Sequence, residues 1–151
     1  MEVRILDPRL LDWGLPAYQT PGSAGVDLFA CIDAPLSLAP QAPAVLVGAG
    51  IALFFDDACM AGLILPRSGQ GHRRGLVLGN STGLVDSDYT GEVLISAWNR
   101  NPAGTPPLVI EPGERIAQMV FVPVLRPHFT VVDRFSRQTR RSAGGFGSTG
   151  A

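Results

Sequence analysis

The stretch "GLVLGNSTGLVDSDYTGEVLISAWN", residues 75–99, is a succession of short β-rich runs separated by polar, glycine-bearing interruptions. "GLVLGN" and "GLVD" read as two strands joined into a hairpin with Asn80, Ser81, Thr82 and Gly83 at its tip. "DYTG", residues 88–91, has aspartate first and glycine fourth, as a type I turn prefers, and predicts a reversal before the strand "EVLISAWN".

The same rhythm extends in both directions. Upstream lie "VRIL", "GVDLFA", "AVLVGAGIALFF" and "AGLILP"; downstream lie "PLVI", "RIAQMVFVPV" and "FTVVD". The 13 prolines and 18 glycines leave few windows of helical length, and the single helix candidate is the stub "DDACMA" at residues 56–61, which reads equally as a turn. "EPGE", residues 111–114, places proline and glycine where a type II turn needs them. "RIAQMVFVPV" is apolar on both alternations, which predicts a strand covered on both faces and interrupted by Gln118. Many short strands at turn-bounded intervals predict an all-β sandwich or barrel. A length of 151 residues suits one domain with a core that needs no disulfide or metal staple.

Composition narrows the functional classes. A formal charge of −1 argues against a DNA or RNA binder, which needs a dominant basic face. Charged residues make up 17% of the chain and apolar ones 46%, more apolar surface than a small monomer usually hides, which points to an oligomer. All 12 basic residues are arginine, so Schiff-base and lysine-nucleophile chemistry is excluded. Cys31 and Cys59 stand apart with no metal-ligand spacing and are expected to be small buried hydrophobes. The start, "MEVRILDPRLLDWG", carries charges through its apolar stretch, and no run has the length of a membrane span, so a cytoplasmic protein without membrane contact is expected.

Three segments carry chemistry. In "GLVDSDYTGE" the carboxylates Asp86 and Asp88 share one side of an extended segment, where they bind a hydrated divalent cation, activate water, or simply cap a solvated turn. "PRSG", residues 66–69, offers Arg67, a hydroxyl and a backbone open to close approach: a phosphate cradle or an ordinary loop. "AGVDLFA", residues 24–30, places Asp27 inside an otherwise apolar strand, where a charge is costly unless paired or near a cation. After about Asp133 the apolar pattern stops. The closing "RRSAGGFGSTGA", residues 140–151, has too few apolar groups to repay the entropy of ordering its backbone; it is a solvated tail or a lid.

Taken in order, "AGVDLFA", "PRSG", "LGNSTGLVDSDYTGEVLISAWN", "GERIAQMVFVPV" and "RSAGGFGSTG" resemble the five motifs of the trimeric dUTP pyrophosphatases (dUTPases), bacterial members in particular. The resemblance runs over residues 24–150. It implies a distorted jelly-roll or β-clip-like subunit of many short strands, with at most one short helix and a flexible glycine-rich C-terminal arm. Residues 1–135 would form the β domain and residues 136–151 a mobile arm that closes over the active site. It further implies a homotrimer whose active sites are shared between subunits. The reaction would be hydrolysis of dUTP to dUMP and pyrophosphate by water attack on the α-phosphorus. That limits uracil incorporation into DNA and supplies dUMP for thymidylate synthesis.

Residue by residue, the resemblance makes Asp86 the carboxylate that orients and deprotonates water, and Gln118 a polar contact near the phosphates and that water. Asp88 would support the turn. Tyr89 would pack under the deoxyribose and leave no room for a 2′-hydroxyl. Asn80, with the backbone of Gly83, Leu84 and Val85, would read the uracil edge. Arg67, Ser68 and Gly69 would hold phosphates, and Asp27 would reach Mg²⁺ through water, the ion itself riding chiefly on the triphosphate. In the tail, Phe146 would stack on uracil, Arg141 would grip terminal phosphates, and Gly147, Ser148 and Thr149 would complete the closure. Ser142 departs from the family pattern, which has glycine there. The alternatives are a dCTP deaminase-like enzyme, which resembles dUTPases in fold, and a nucleotide-sensing regulator that binds dUTP with turnover incidental.

Overall fold

A computed structural model describes residues 1–139 and 142–143. Among these residues it contains strands β1 (Glu2–Ile5), β2 (Val26–Phe29), β3 (Leu36–Leu38), β4 (Val45–Phe54), β5 (Met60–Pro66), β6 (Leu76–Leu78), β7 (Gly83–Val85), β8 (Glu92–Asn99), β9 (Leu108–Ile110) and β10 (Arg115–Pro123). They form two four-stranded sheets, β1-β4-β8-β6 and β2-β10-β5-β7, and a two-stranded ribbon, β3-β9. All pairings are antiparallel.

One hydrophobic cluster joins the two large sheets: Val47, Ile51, Val93 and Ile95 from the first meet Leu28, Ile64, Val85 and Met119 from the second. Strand β8 shows why. Val93, Ile95, Ala97 and Asn99 point inward and are buried, while Leu94 faces out, the period-2 pattern of a half-buried strand. Asn99 is tolerated there because its side-chain amide donates to the Leu38 carbonyl at 2.9 Å. In β10, a central strand, Ala117 and Met119 are buried, while Gln118, Val120 and Val122 on the opposite face are half-buried within one chain.

The all-β expectation and the "EPGE" turn hold: Gly113 has φ +76 and the Glu114 N–H donates to the Glu111 carbonyl at 3.0 Å. Several local expectations are corrected. The residue 75–86 segment is no hydrogen-bonded hairpin. Its two three-residue strands separate, β6 onto β8 and β7 onto β5, because each finds a longer partner in a different sheet. The turn expected at residues 88–91 forms two residues earlier, where the Tyr89 N–H donates to the Asp86 carbonyl at 3.2 Å. "DDACMA" takes its turn alternative, closed by the Met60 N–H on the Asp57 carbonyl, and helix appears elsewhere, as α1 (Leu10–Trp13), anchored by the fully buried Leu10, and as a π-helical turn at Gln70–Arg74. "FTVVD" is not a strand: it lies beyond β10, off every sheet edge, with Phe129 and Val131 exposed. Cys31 is half-buried and Cys59 is exposed, so only the first approaches the expected role.

Candidate phosphate-binding site

Register builds the site. Gln118 on β10 stands opposite Asp27 on β2 and, on its other side, opposite Leu65 on β5. Just past Leu65, β5 ends at Pro66 and releases Arg67, Ser68 and Gly69 into the π-helical turn. These elements enclose a cleft of about 550 Å³ bounded by Asp27, Arg67, Ser68, Gly69, Arg73 and Gln118, with Gln19 and Ser23 at its rim.

Asp27 is buried, and its charge is matched. Arg67 Nε lies 2.7 Å from one carboxylate oxygen and Arg115 Nη1 3.1 Å from the other. Two guanidinium groups on one carboxylate answer the cost of burying a charge in an apolar strand. Gln118 donates its amide to the Pro66 carbonyl at 3.0 Å, which ties the cleft wall to the end of β5. The π-helical turn opens with the Gly71 N–H on the Arg67 carbonyl at 2.9 Å and carries Arg73 back over Gly69. Arg74 leaves in another direction, paired with Glu114 and donating to the Val109 carbonyl at 2.7 Å. Two guanidinium groups lining the cleft, Arg67 and Arg73, with Arg115 on the far side of Asp27, outnumber its one carboxylate and make it a site for an anion.

The sequence-predicted residues fall into two groups within one chain. Asp27, Arg67, Ser68, Gly69 and Gln118 converge on the cleft. Asn80, Asp86 and Tyr89 are exposed and do not line it; of the segment between them, Gly83 and Val85 are buried and Leu84 faces out. Asp86 follows the Gly62↔Val85 end of the β5–β7 pairing, whereas Arg67 follows the other end of β5. Roughly 20 Å of strand, at about 3.3 Å per residue, therefore lies between them. Tyr89 is anchored by its hydroxyl, which donates to the Glu92 carbonyl at 2.8 Å, and its ring lies against Gly91. Arg141, Phe146, Gly147, Ser148 and Thr149 lie outside the described residues. Ser142, at the position where the motif has glycine, adopts φ +46, a left-handed conformation that glycine adopts without strain.

Sequence reasoning missed Arg73, Arg115, Gln19 and Ser23. A signal existed for Arg73, which lies in "GQGHRRG" one turn beyond "PRSG". Arg115 opens the strand that carries Gln118, but nothing linear ties it to a carboxylate 88 positions earlier. No group of three or more His, Cys, Asp or Glu side chains gathers into a metal cage among the described residues.

A family model described as dUTPase matches residues 12–150. The chain is 55% identical over 150 residues to the deoxyuridine 5'-triphosphate nucleotidohydrolase of Albidiferax ferrireducens, covering 99% of this chain and 97% of the relative. It is 54% identical to the protein of the same name from Burkholderia multivorans, with the same coverage. Among solved structures, the Staphylococcus bacteriophage 80alpha dUTPase with dUPNHPP superposes with a TM-score of 0.81 at 25% identity, covering 99% of this chain and 98% of that one.

Proposed function

This chain belongs to the dUTPase family, and from that premise we infer that it hydrolyses dUTP to dUMP and pyrophosphate. The observation that carries the reading is the arginine-rich cleft at the end of β5, where Arg67, Ser68 and Gly69 stand ready for phosphate oxygens. When the anion arrives, its oxygens compete with Asp27 for the Arg67 guanidinium, and Arg115 remains to hold Asp27 in place. Asp86 accepts a proton from water, the water oxygen bonds to the α-phosphorus, and the bond from that phosphorus to the bridging oxygen breaks, releasing pyrophosphate. Gln118 holds the phosphates and that water in line from the cleft wall. Tyr89 offers its outer ring face to the deoxyribose, and Asn80 with the backbone of Gly83, Leu84 and Val85 reads uracil. Arg141, Phe146, Gly147, Ser148 and Thr149, on an arm of residues 136–151, close over the nucleotide.

Mg²⁺ fits this donor set as a companion of the triphosphate. The cleft offers a single carboxylate, Asp27, already engaged by two guanidinium groups, so Asp27 would hold the ion only through a water. When bound, it would supply neutralisation of the phosphate charge.

A site whose water-activating carboxylate and phosphate cradle stand at opposite ends of one sheet is completed by a second subunit, and a closed trimer with shared sites accommodates this. The exposed Leu125, Phe129, Val131 and Phe135 beyond β10 support such an assembly, since a monomer would leave them all in water. No helix among the described residues is long and apolar enough to cross a membrane.

The test is product analysis with Mg²⁺ and, separately, dUTP, dCTP, dTTP and UTP. Pyrophosphate and a nucleoside monophosphate from dUTP alone are expected. Ammonia and dUTP from dCTP would transfer the protein to the deaminases, and dUTP binding with negligible turnover would make it a nucleotide sensor.

A further inference from the structure

The cleft holds more positive charge than its own carboxylate neutralises, and the excess has an address. Arg67 and Arg115 share Asp27. Arg74 is taken up by Glu114, by the Gln70 side-chain oxygen at 2.9 Å and by the Val109 carbonyl. Arg73 has no carboxylate within ion-pair distance and no side-chain hydrogen bond among the described residues. Yet its Nη2 lies only 2.9 Å from where a Cβ on Gly69 would stand. A guanidinium is thus held directly over the backbone of the "PRSG" cradle, facing the cleft, with its donors unspent.

The space around it has a direction. The main cleft continues into a smaller hollow of about 190 Å³ bounded by Arg67, Gly69, Gln70, Arg73 and Arg74. Arg67, Gly69 and Arg73 belong to both spaces, so Arg73 stands where the main cleft passes into the hollow. A phosphate chain that enters past Asp27 and Gln118 and lies along Ser68 and Gly69 ends at this guanidinium.

We propose that Arg73 binds the terminal phosphate of the substrate and is the residue by which the cleft prefers a nucleoside triphosphate over the mono- and diphosphate. This rests on reading the cleft as the phosphate cradle of a dUTPase. The charges agree with it. Arg67 and Arg73 line the cleft and Arg115 reaches Asp27 from outside that lining, so three guanidinium groups around one carboxylate leave an excess of two positive charges, and a Mg²⁺-bound triphosphate brings about two negative ones. Arginine suits the position because its planar fork engages two phosphate oxygens at once, where lysine presents a single point charge. Gly69 contributes by omission: a side chain there would displace the Arg73 head from above the cradle.

The experiment is a calorimetric titration of the full-length protein with Mg²⁺ and the imido analogue of dUTP, dUDP or dUMP, for the natural sequence, Arg73→Gln and Arg73→Lys. Arg73 is exposed and away from the core, so both variants should fold, which a thermal melt checks. Arg73→Gln should weaken the triphosphate analogue about ten- to hundredfold, the loss of one charged contact, and leave dUMP within about twofold; Arg73→Lys should recover part of the loss. In turnover, KM for dUTP should rise much more than kcat falls. Unchanged affinity for the triphosphate analogue, or an equal loss for all three nucleotides, would overturn the proposal. The two readings separate cleanly. Turnover of dUTP with binding indifferent to Arg73 sinks this contact alone, whereas Arg73-dependent triphosphate binding without turnover sinks the hydrolase and keeps the contact.

Discussion

Asp27 and Asp7 show how differently two carboxylates can be held. Asp27 is the visible anomaly of an apolar strand, and a pairing requirement was legible in the sequence because an unpaired charge there would be too costly. Its partners were not legible, since Arg115 opens β10 and Arg67 follows the end of β5, and both meet it only through sheet register. Asp7 lies outside the candidate site and is held locally. Arg9, two residues on, donates to it from its backbone and from its guanidinium, at 2.6 Å for the shortest contact, and lays its other face over Trp13. The side-chain bonds from Arg9 hold the Asp7 carboxyl below its ordinary 3.8, while burial foremost, with Asp7 next, pushes the neighbouring Cys31 thiol up to about 12. The unfolded chain takes up the Asp7 proton at a higher pH than the folded one. The stability Asp7 contributes is therefore present above about pH 4 and lost as pH falls through the depressed folded value. Asp7→Asn should cost about 1 kcal/mol at pH 7, a modest figure because Arg9 is partly exposed, and should flatten the acid limb of the stability profile. Urea unfolding from pH 7 to pH 3 measures both. Parallel acid limbs in the two proteins would remove Asp7 from the account.

Short runs such as "GLVLGN" and "EVLISAWN" declared β structure, yet their partners were decided by what else was available. The strands β6 and β7 are three residues each, too short to hold one another against the longer β8 and β5, and proximity in sequence therefore misled. "FTVVD" has strand propensity but meets no free edge within one chain, and propensity without a partner makes no strand. The reverse happens in β4, where "VGAGI" holds together although glycines weaken a strand. Between Gly48 and Ala52 the register with β8 slips, and Gly50 there has φ +67. The Glu92 carboxylate fills the gap, accepting the Gly50 N–H at 3.1 Å, while Leu6 and Asp7 both donate to the Gly50 carbonyl. The bulge thus lets one strand serve β8 and β1 in turn. A Cβ at Gly50 would meet Cys31 Sγ at 2.5 Å and Asp7 Cβ at 2.8 Å in addition to the strained φ. Gly50→Ala should destabilise by about 3 kcal/mol. Gly22→Ala, where a Cβ meets nothing within 4 Å, should change stability by less than about 0.5 kcal/mol. Guanidinium unfolding at one fixed protomer concentration compares them, and a neutral Gly50→Ala would mean that the bulge relaxes freely.

The proposed shared site rests on a distance that no linear reading supplies. "PRSG" and "GLVDSDYTGE" are separated by only the 13 residues between Gly69 and Gly83, and both motifs flank the same β5–β7 pair. Because that pair is antiparallel, Arg67 and Asp86 leave it at opposite ends, and a nucleotide cannot touch both in one chain without spanning roughly 20 Å of strand. If neighbouring subunits of a closed ring each supply half of a site, defects in the two halves should complement. Asp86→Asn and Arg67→Ala should each abolish most turnover when every subunit carries the change. Unfolded together in equal amounts and reassembled at random, they place an intact Asp86 beside an intact Arg67 at about one interface in four, because each half is sound in about half of the subunits of a heterologous ring. Recovery of about a quarter of the wild-type rate is therefore expected from the mixture, and none from either variant refolded alone. A mixture as inactive as its components would mean that each chain builds its own site, with β7 and its carboxylate brought to the cleft by a rearrangement within the subunit. Partial recovery that grows with the time allowed for subunit exchange would show, in addition, that the ring opens in solution.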